Sequence, residues 1–147
     1  MIRLRLEAPV PGGHALARLE SRLPAALRRA LGQALEDGLE TARQALAGRA
    51  RPGASGCLAA SLGQRVSGGG LSLEGELYSD LPYAGVQEYG GLIQAQRAKY
   101  LRFQVEGRWV LARRVLVPAR PYLAPGAEGA VDALEGHLTR ALLEELP

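Results

Sequence analysis

Few residues in this chain are equipped for chemistry. Among 147 residues there are two histidines, His14 and His137, and one cysteine, Cys57. A histidine works as a base or a metal ligand when a carboxylate or a second ligand stands at a suitable spacing. His14 has no such neighbour. His137 has Asp132 and Glu135 nearby, on a charged helix face where carboxylates are usually solvated. Ser55 or Ser61 can be combined with a histidine and an acid into a triad, yet neither lies in a Gly-x-Ser-x-Gly elbow. Gly68-Gly69-Gly70 lacks the lysine and the helix of a phosphate loop. Glu74 and Glu76 alternate on one strand face and are expected to point to solvent. A lone Cys57 makes no intrachain disulfide and no zinc cluster, and is expected to be a small buried residue. No catalytic, metal-binding or cofactor-binding residue is assigned, and the chain reads as a non-enzyme.

One stretch has a different character. Between Arg97 and Arg120 lie seven basic residues, Arg97, Lys99, Arg102, Arg108, Arg113, Arg114 and Arg120, against Glu106 alone. Tyr100, Phe103 and Trp109 are interleaved with them, and Tyr122 follows. Basic side chains neutralise phosphates and aromatic rings stack on bases, so this is the footprint of a nucleic-acid ribbon. Two other readings stay open: a ribbon charged outside with its aromatics in the core, and a basic interface for an acidic protein partner.

These residues must be held by a fold of one domain's length. Ile2, Leu4 and Leu6 alternate with charged residues, which predicts a strand over 2–7 ended by Pro9, Pro11, Gly12 and Gly13. Leucines from Leu16 to Leu39 recur every three or four residues and predict helices over about 14–49. Pro24 predicts a break near Leu23, with a longer helix from Pro24 to a stop at Gly48. Residues 51–56 read as a loop, and Leu58 to Val66 is ambiguous. Alternation over 71–78 after a glycine turn predicts a hairpin, and Leu81 to Tyr89 a short helix ended by Gly90-Gly91. Tyr100 to Val105 and Trp109 to Val117 read as a strand pair around Glu106-Gly107, with Leu111, Val115 and Val117 on one face. Together they form a sheet region of about 58–117. Pro118, Pro121 and Pro125 predict a stiff connection to a final helix over 126–146. The expected class is α+β: a long N-terminal helix region and a C-terminal helix on one face of a small antiparallel sheet.

No apolar run has the length of a signal peptide or a membrane span, so a cytoplasmic origin is expected. Seventeen of the 18 basic residues are arginine and asparagine is absent, a bias shared by thermophilic sources and GC-rich genomes.

Three motifs stand in fixed order. The first holds Pro52, Ser55, Gly56, Leu58 and Ser61; the second Tyr83, Ala84, Glu88, Tyr89 and Gly90; the third Pro118, Ala119, Arg120, Pro121, Tyr122 and Leu123. With a helical region before and a helix after, they resemble the tail-completion or neck family of long-tailed bacteriophages, which are head–tail joining proteins of virion morphogenesis. That family's pattern is Pro…Thr/Ser-Gly-x-Leu-x-x-Ser, then Tyr-Ala-x-x-x-Glu-x-Gly, then Pro-Ala-Arg-Pro-aromatic-Leu. Ser55 stands where Thr is commoner, and the likeness covers about half the chain.

The resemblance implies a virion structural protein of a free phage, a prophage or a gene-transfer particle. It would assemble in the host cytoplasm as a ring at the head–tail junction. Its partners would be its own copies, the head connector, and the tail-terminator or tail-tube proteins, with DNA passing through the channel. Neither a membrane nor a small molecule is implied. A small DNA-binding accessory protein and a tail-terminator or tube subunit are the alternatives. Physically, Ser55-Gly56 suits a turn with Gly at positive φ. Arg120, stiffened by two prolines, suits a forked contact to Glu88 within or between subunits, the other reading being that the two are separately solvated.

Overall fold

The alternation at the start of the chain does form a strand, β1 (Ile2–Glu7). In the computed structural model, which describes residues 1–7, 17–47 and 55–145, there follow α1 (Ala17–Ala47), α2 (Ser55–Ser61), β2 (Leu62–Gly69) and β3 (Ser72–Ser79). Then come α3 (Ala84–Tyr89), β4 (Gly91–Gln94), β5 (Leu101–Val105), β6 (Arg108–Ala112), β7 (Arg114–Val117) and α4 (Leu123–Glu145). The expected ends at Pro9–Gly13, His14, Gly48 and Leu146 lie outside the described residues. The described chain groups into two compact units, Met1–Leu81 with Tyr122–Pro147, and Pro82–Pro121.

In the first unit β1, β3 and β2 form an antiparallel sheet in the order β1-β3-β2. Ile2 faces Leu77 across β1 and β3, Leu4 faces Gly75, and Leu6 faces Leu73. Residues opposite each other share a face, so the apolar side chains gather on one side. Both long helices pack there, which makes the fold α+β as expected. A Cβ on Gly75 would lie 2.9 Å from Leu35 Cδ1, which places α1 against this face. The core is built from Leu27, Ala30, Leu31, Ala34, Leu35 and Leu39 of α1 with Leu73 and Leu77 of β3. The helices cross closely: a Cβ on Gly38 would fall 2.5 Å from the Gly126 carbonyl, and one on Gly126 2.9 Å from Ala42 Cβ. An Ala/Gly seam lets the backbones approach, and leucines fill the flanks.

Several sequence expectations need correction. Helix α1 is continuous, with Pro24 inside it rather than at a break. Leu23, Ala26 and Leu27 are buried on both sides of the proline, and this shared packing holds the helix through the missing backbone hydrogen bond. Leu58 to Ser61 belongs to α2, so the strand begins only at Leu62. Pro125 is not part of the stiff connection. It sits in the first turn of α4, where no donor is needed, and α4 starts at Leu123 rather than at 126. Cys57 is exposed. Glu144 and Glu145, ill placed for the helix dipole, meet Arg29 at 3.5 and 3.2 Å.

On the outer face of the sheet, Arg3 lies 3.3 Å from Glu74, and Arg65 donates to Glu76. That hydrogen bond and the Glu76 charge hold the Arg65 guanidinium above its ordinary pKa, so it stays charged. Glu76 is therefore not the solvated carboxylate expected. It is buried, and its Oε1 finds no partner among the described residues.

The single sheet expected over 58–117 is replaced by three ladders. In the second unit β4 pairs with β7, and β5 with β6, both antiparallel. The returning strand expected over 109–117 breaks at Arg113 into β6 and β7. Leu111 thereby leaves the face that Val115 and Val117 share and is exposed.

Candidate assembly surface

Ser55 to Ser61 of the first motif fold within the first unit, and Pro52 lies outside the described residues. Gly56 lies in the opening turn of α2 and is not among the positive-φ glycines, so the turn expected at Ser55-Gly56 does not form. Leu58 is buried. Ser61 stands where α2 becomes β2. Its Oγ donates to the Leu58 carbonyl at 2.7 Å and lies 2.7 Å from Ser79 Oγ, which accepts from the Leu81 N–H at 3.3 Å. This serine ties the helix-to-strand switch to the end of β3, and among the described residues it has no hydrogen bond to a histidine. His137 finds its carboxylate elsewhere: its Nε2 is 2.6 Å from Asp37 Oδ2 of α1, and neither Asp132 nor Glu135 takes that role.

The second motif meets Pro118–Pro121 of the third in the second unit, while Tyr122 and Leu123 belong to the first. Ala84 and Glu88 are the buried residues of α3, while Tyr83 and Tyr89 are exposed. Gly90 ends the helix at φ 73° and ψ −179°, its N–H donating to the Val86 carbonyl at 2.8 Å. Such a backbone conformation is essentially limited to glycine. A Cβ there would also lie 2.8 Å from Ala119 N and 2.9 Å from the Val117 carbonyl. The Arg120 N–H then donates to the Gln87 carbonyl at 2.8 Å. Motif two and motif three are thus zipped by backbone contacts, with β4 on β7 continuing the zipper. Glu88 is buried and Arg120 is exposed. Pro118 is exposed and Pro121 half-buried, while Tyr122, beginning the return to the first unit, is buried.

The basic residues 97–120 all fall in the second unit and are exposed. This unit carries seven basic and two acidic residues, a net of +5. The rest of the chain carries eleven basic and thirteen acidic, a net of −2. Of the aromatics that accompany them, Tyr100 and Trp109 are exposed and Tyr122 is in the core. Arg102 sits 4.2 Å over the Trp109 ring, and Lys99 and Arg113 lie 5.6 and 5.9 Å from the Tyr100 ring. Phe103 is half-buried.

Leu92, Ile93, Leu111 and Leu116 were missed as surface residues in the sequence. Of the twelve exposed large hydrophobics among the described residues, eight lie in this unit, with Leu116 76%, Leu111 63% and Trp109 60% exposed. The signal available was weak: Leu92-Ile93 directly after Gly90-Gly91, and an unbroken Val115-Leu116-Val117. By register, Leu92, Gln94, Arg114 and Leu116 share one face of the β4–β7 ladder. Arg102, Gln104, Trp109 and Leu111 share one face of β5–β6. Each exposed face thus offers two large apolar side chains, one arginine and one glutamine. Such a surface suits a partner that is apolar at its centre and acidic around it.

Among the described residues, no group of three or more His, Cys, Asp and Glu could hold a metal ion, and no helix is long and apolar enough to cross a membrane. Compared with family models, curated proteins and solved structures, the chain matches none.

Proposed function

We propose that this chain is a structural subunit of the head–tail junction of a long-tailed phage or a related particle, a tail-completion or neck protein that works by assembling into a ring. The observation that carries the reading is the second unit. Two of the three motifs that carry the resemblance meet there through backbone contacts, and the same unit bears two exposed apolar–arginine faces. A ring needs heterologous contacts between unlike patches of successive copies, and a unit whose charge opposes the rest of the chain provides for them. Further copies, the head connector and a tail-terminator or tube protein are the partners this reading implies. Virion assembly in the host cytoplasm is the setting. No catalytic step is assigned.

The arginine stacked on Trp109 favours a second reading, in which the unit binds nucleic acid. Against it stand Leu92, Leu111 and Leu116, whose exposed aliphatic side chains give nothing to a phosphate backbone. Native mass spectrometry over a range of concentrations, with and without duplex DNA, separates the two. A closed ring of defined copy number that is indifferent to DNA is the expected result. A monomer that binds duplex at moderate salt, with a steep salt dependence, would give the second reading precedence.

A further inference from the structure

We infer that the two apolar–arginine faces of Pro82–Pro121 dock on a second copy of this chain, at a ridge of α4 formed by Glu128, Val131, Asp132 and Glu135. This rests on the assembly reading above and names the surface it uses. Charge selects the partner: a unit of net +5 meets a remainder of net −2.

The position within that remainder follows from which unengaged carboxylates stand together: Glu20 and Asp80 also enter none of the ion pairs of the described residues, but each stands singly. On α1, Glu36 accepts from Gln64 at 2.8 Å, Asp37 holds His137, and Glu40 lies 3.9 Å from Arg43. Glu74 and Glu76 pair with arginines of the sheet, and Glu144 and Glu145 with Arg29. Glu128, Asp132 and Glu135 are exposed and enter none of the ion pairs of the described residues. They recur at i, i+4 and i+7, so they share one helix stripe. Val131, 53% exposed, sits among them. Three carboxylates around one apolar side chain mirror the composition of the two faces, in which arginines flank Leu111, Leu116 and Trp109. The contact joins unlike patches, so a second copy leaves both patches open at its ends, the geometry that rings or filaments require.

Directed cross-linking of the full chain tests the contact even if it is transient. In a Cys57→Ser background, Gln104→Cys places a thiol on the β5–β6 face, and Val131→Cys places one on the ridge. The two proteins are mixed in equal amounts and oxidised. Selective contact gives about five mixed dimers for every like dimer, against about one to one at random, as charge-steered encounter allows. That excess falls between about 0.1 and about 1 M salt, as the Debye length shrinks from about 10 to about 3 Å. Adding Asp132→Arg and Glu135→Arg to the ridge partner removes the excess.

A random dimer distribution overturns the inference, and so does an excess that survives the charge reversal. Loss of the excess on adding equimolar duplex DNA assigns the arginines to phosphate and overturns it as well. The ring reading fails separately. A wild-type ring in the mass spectrometer with random cross-linking sinks this surface alone. Selective cross-linking without any closed ring supports the contact and sinks the ring.

Discussion

Gly90 is the residue at which the second unit is most exposed to a single change. Its backbone is confined to glycine, and a side chain would run into Ala119 and the Val117 carbonyl. Gly90→Ala should cost about 3 kcal/mol, combining backbone strain with a clash against main chain that cannot swing aside. The measurement is amide exchange: protection in Gly91–Gln94 and Arg114–Val117 should collapse in the variant, and unchanged protection would refute the zipper. Ser61→Ala is a milder case. It removes one donor that serves Leu58 and meets Ser79, and should cost about 1 kcal/mol in urea unfolding. At this scale the sequence was partly legible. Gly90 after a short apolar-periodic stretch reads as a helix stop on its own. Ser55-Gly56 misleads, because a serine and a glycine after a proline signal a turn as readily as a helix start. Only the packing of Leu58 decides between them.

Elements were legible where periodicity was long, and misread where a local signal competed with packing. Pro24 shows this well. Its ring argues for a break, but buried leucines and alanines on either side cost more to disrupt than one backbone hydrogen bond. Pro24→Ala should therefore stabilise the protein by about 2 kcal/mol, the recovered helix energy less the entropy that proline removes from the unfolded chain. Two glycines of the same helix give an internal contrast. Gly32 has open space where a Cβ would stand, so Gly32→Ala should add about 0.5–1 kcal/mol. Gly38 faces the Gly126 carbonyl and Ala130, so Gly38→Ala should cost about 2–3 kcal/mol by forcing α1 from α4. Urea midpoints that moved in the same direction would contradict the close crossing. The break at Arg113 was the least legible feature. Leu111, Val115 and Val117 keep one parity through it, and only the pairing of β4 with β7 separates Leu111 from Val115 and Val117.

At the scale of the whole molecule, composition hides a division that the fold makes plain. The net charge of +3 is mild because two opposed charges are summed. Exposed apolar side chains are likewise concentrated in a unit that is under a third of the chain. Surface residues that serve only solubility would not combine in this way, since charge without leucine serves that purpose better. Leu92→Thr, Leu111→Thr and Leu116→Thr together distinguish an interface from a tolerated surface. Threonine keeps the strand preference, and exposed positions change stability by no more than about 0.5 kcal/mol each, so the unfolding midpoint should barely move. Self-association should respond strongly. A covered leucine contributes about 1.5–3 kcal/mol relative to an exposed one, so each that is buried between copies should weaken association at least about tenfold when replaced. Sedimentation velocity over a concentration series gives the comparison. Loss of oligomer with an unchanged midpoint identifies these leucines as contact residues. An oligomer that persists in the triple variant would show that the contacts lie elsewhere, whatever the arginines do.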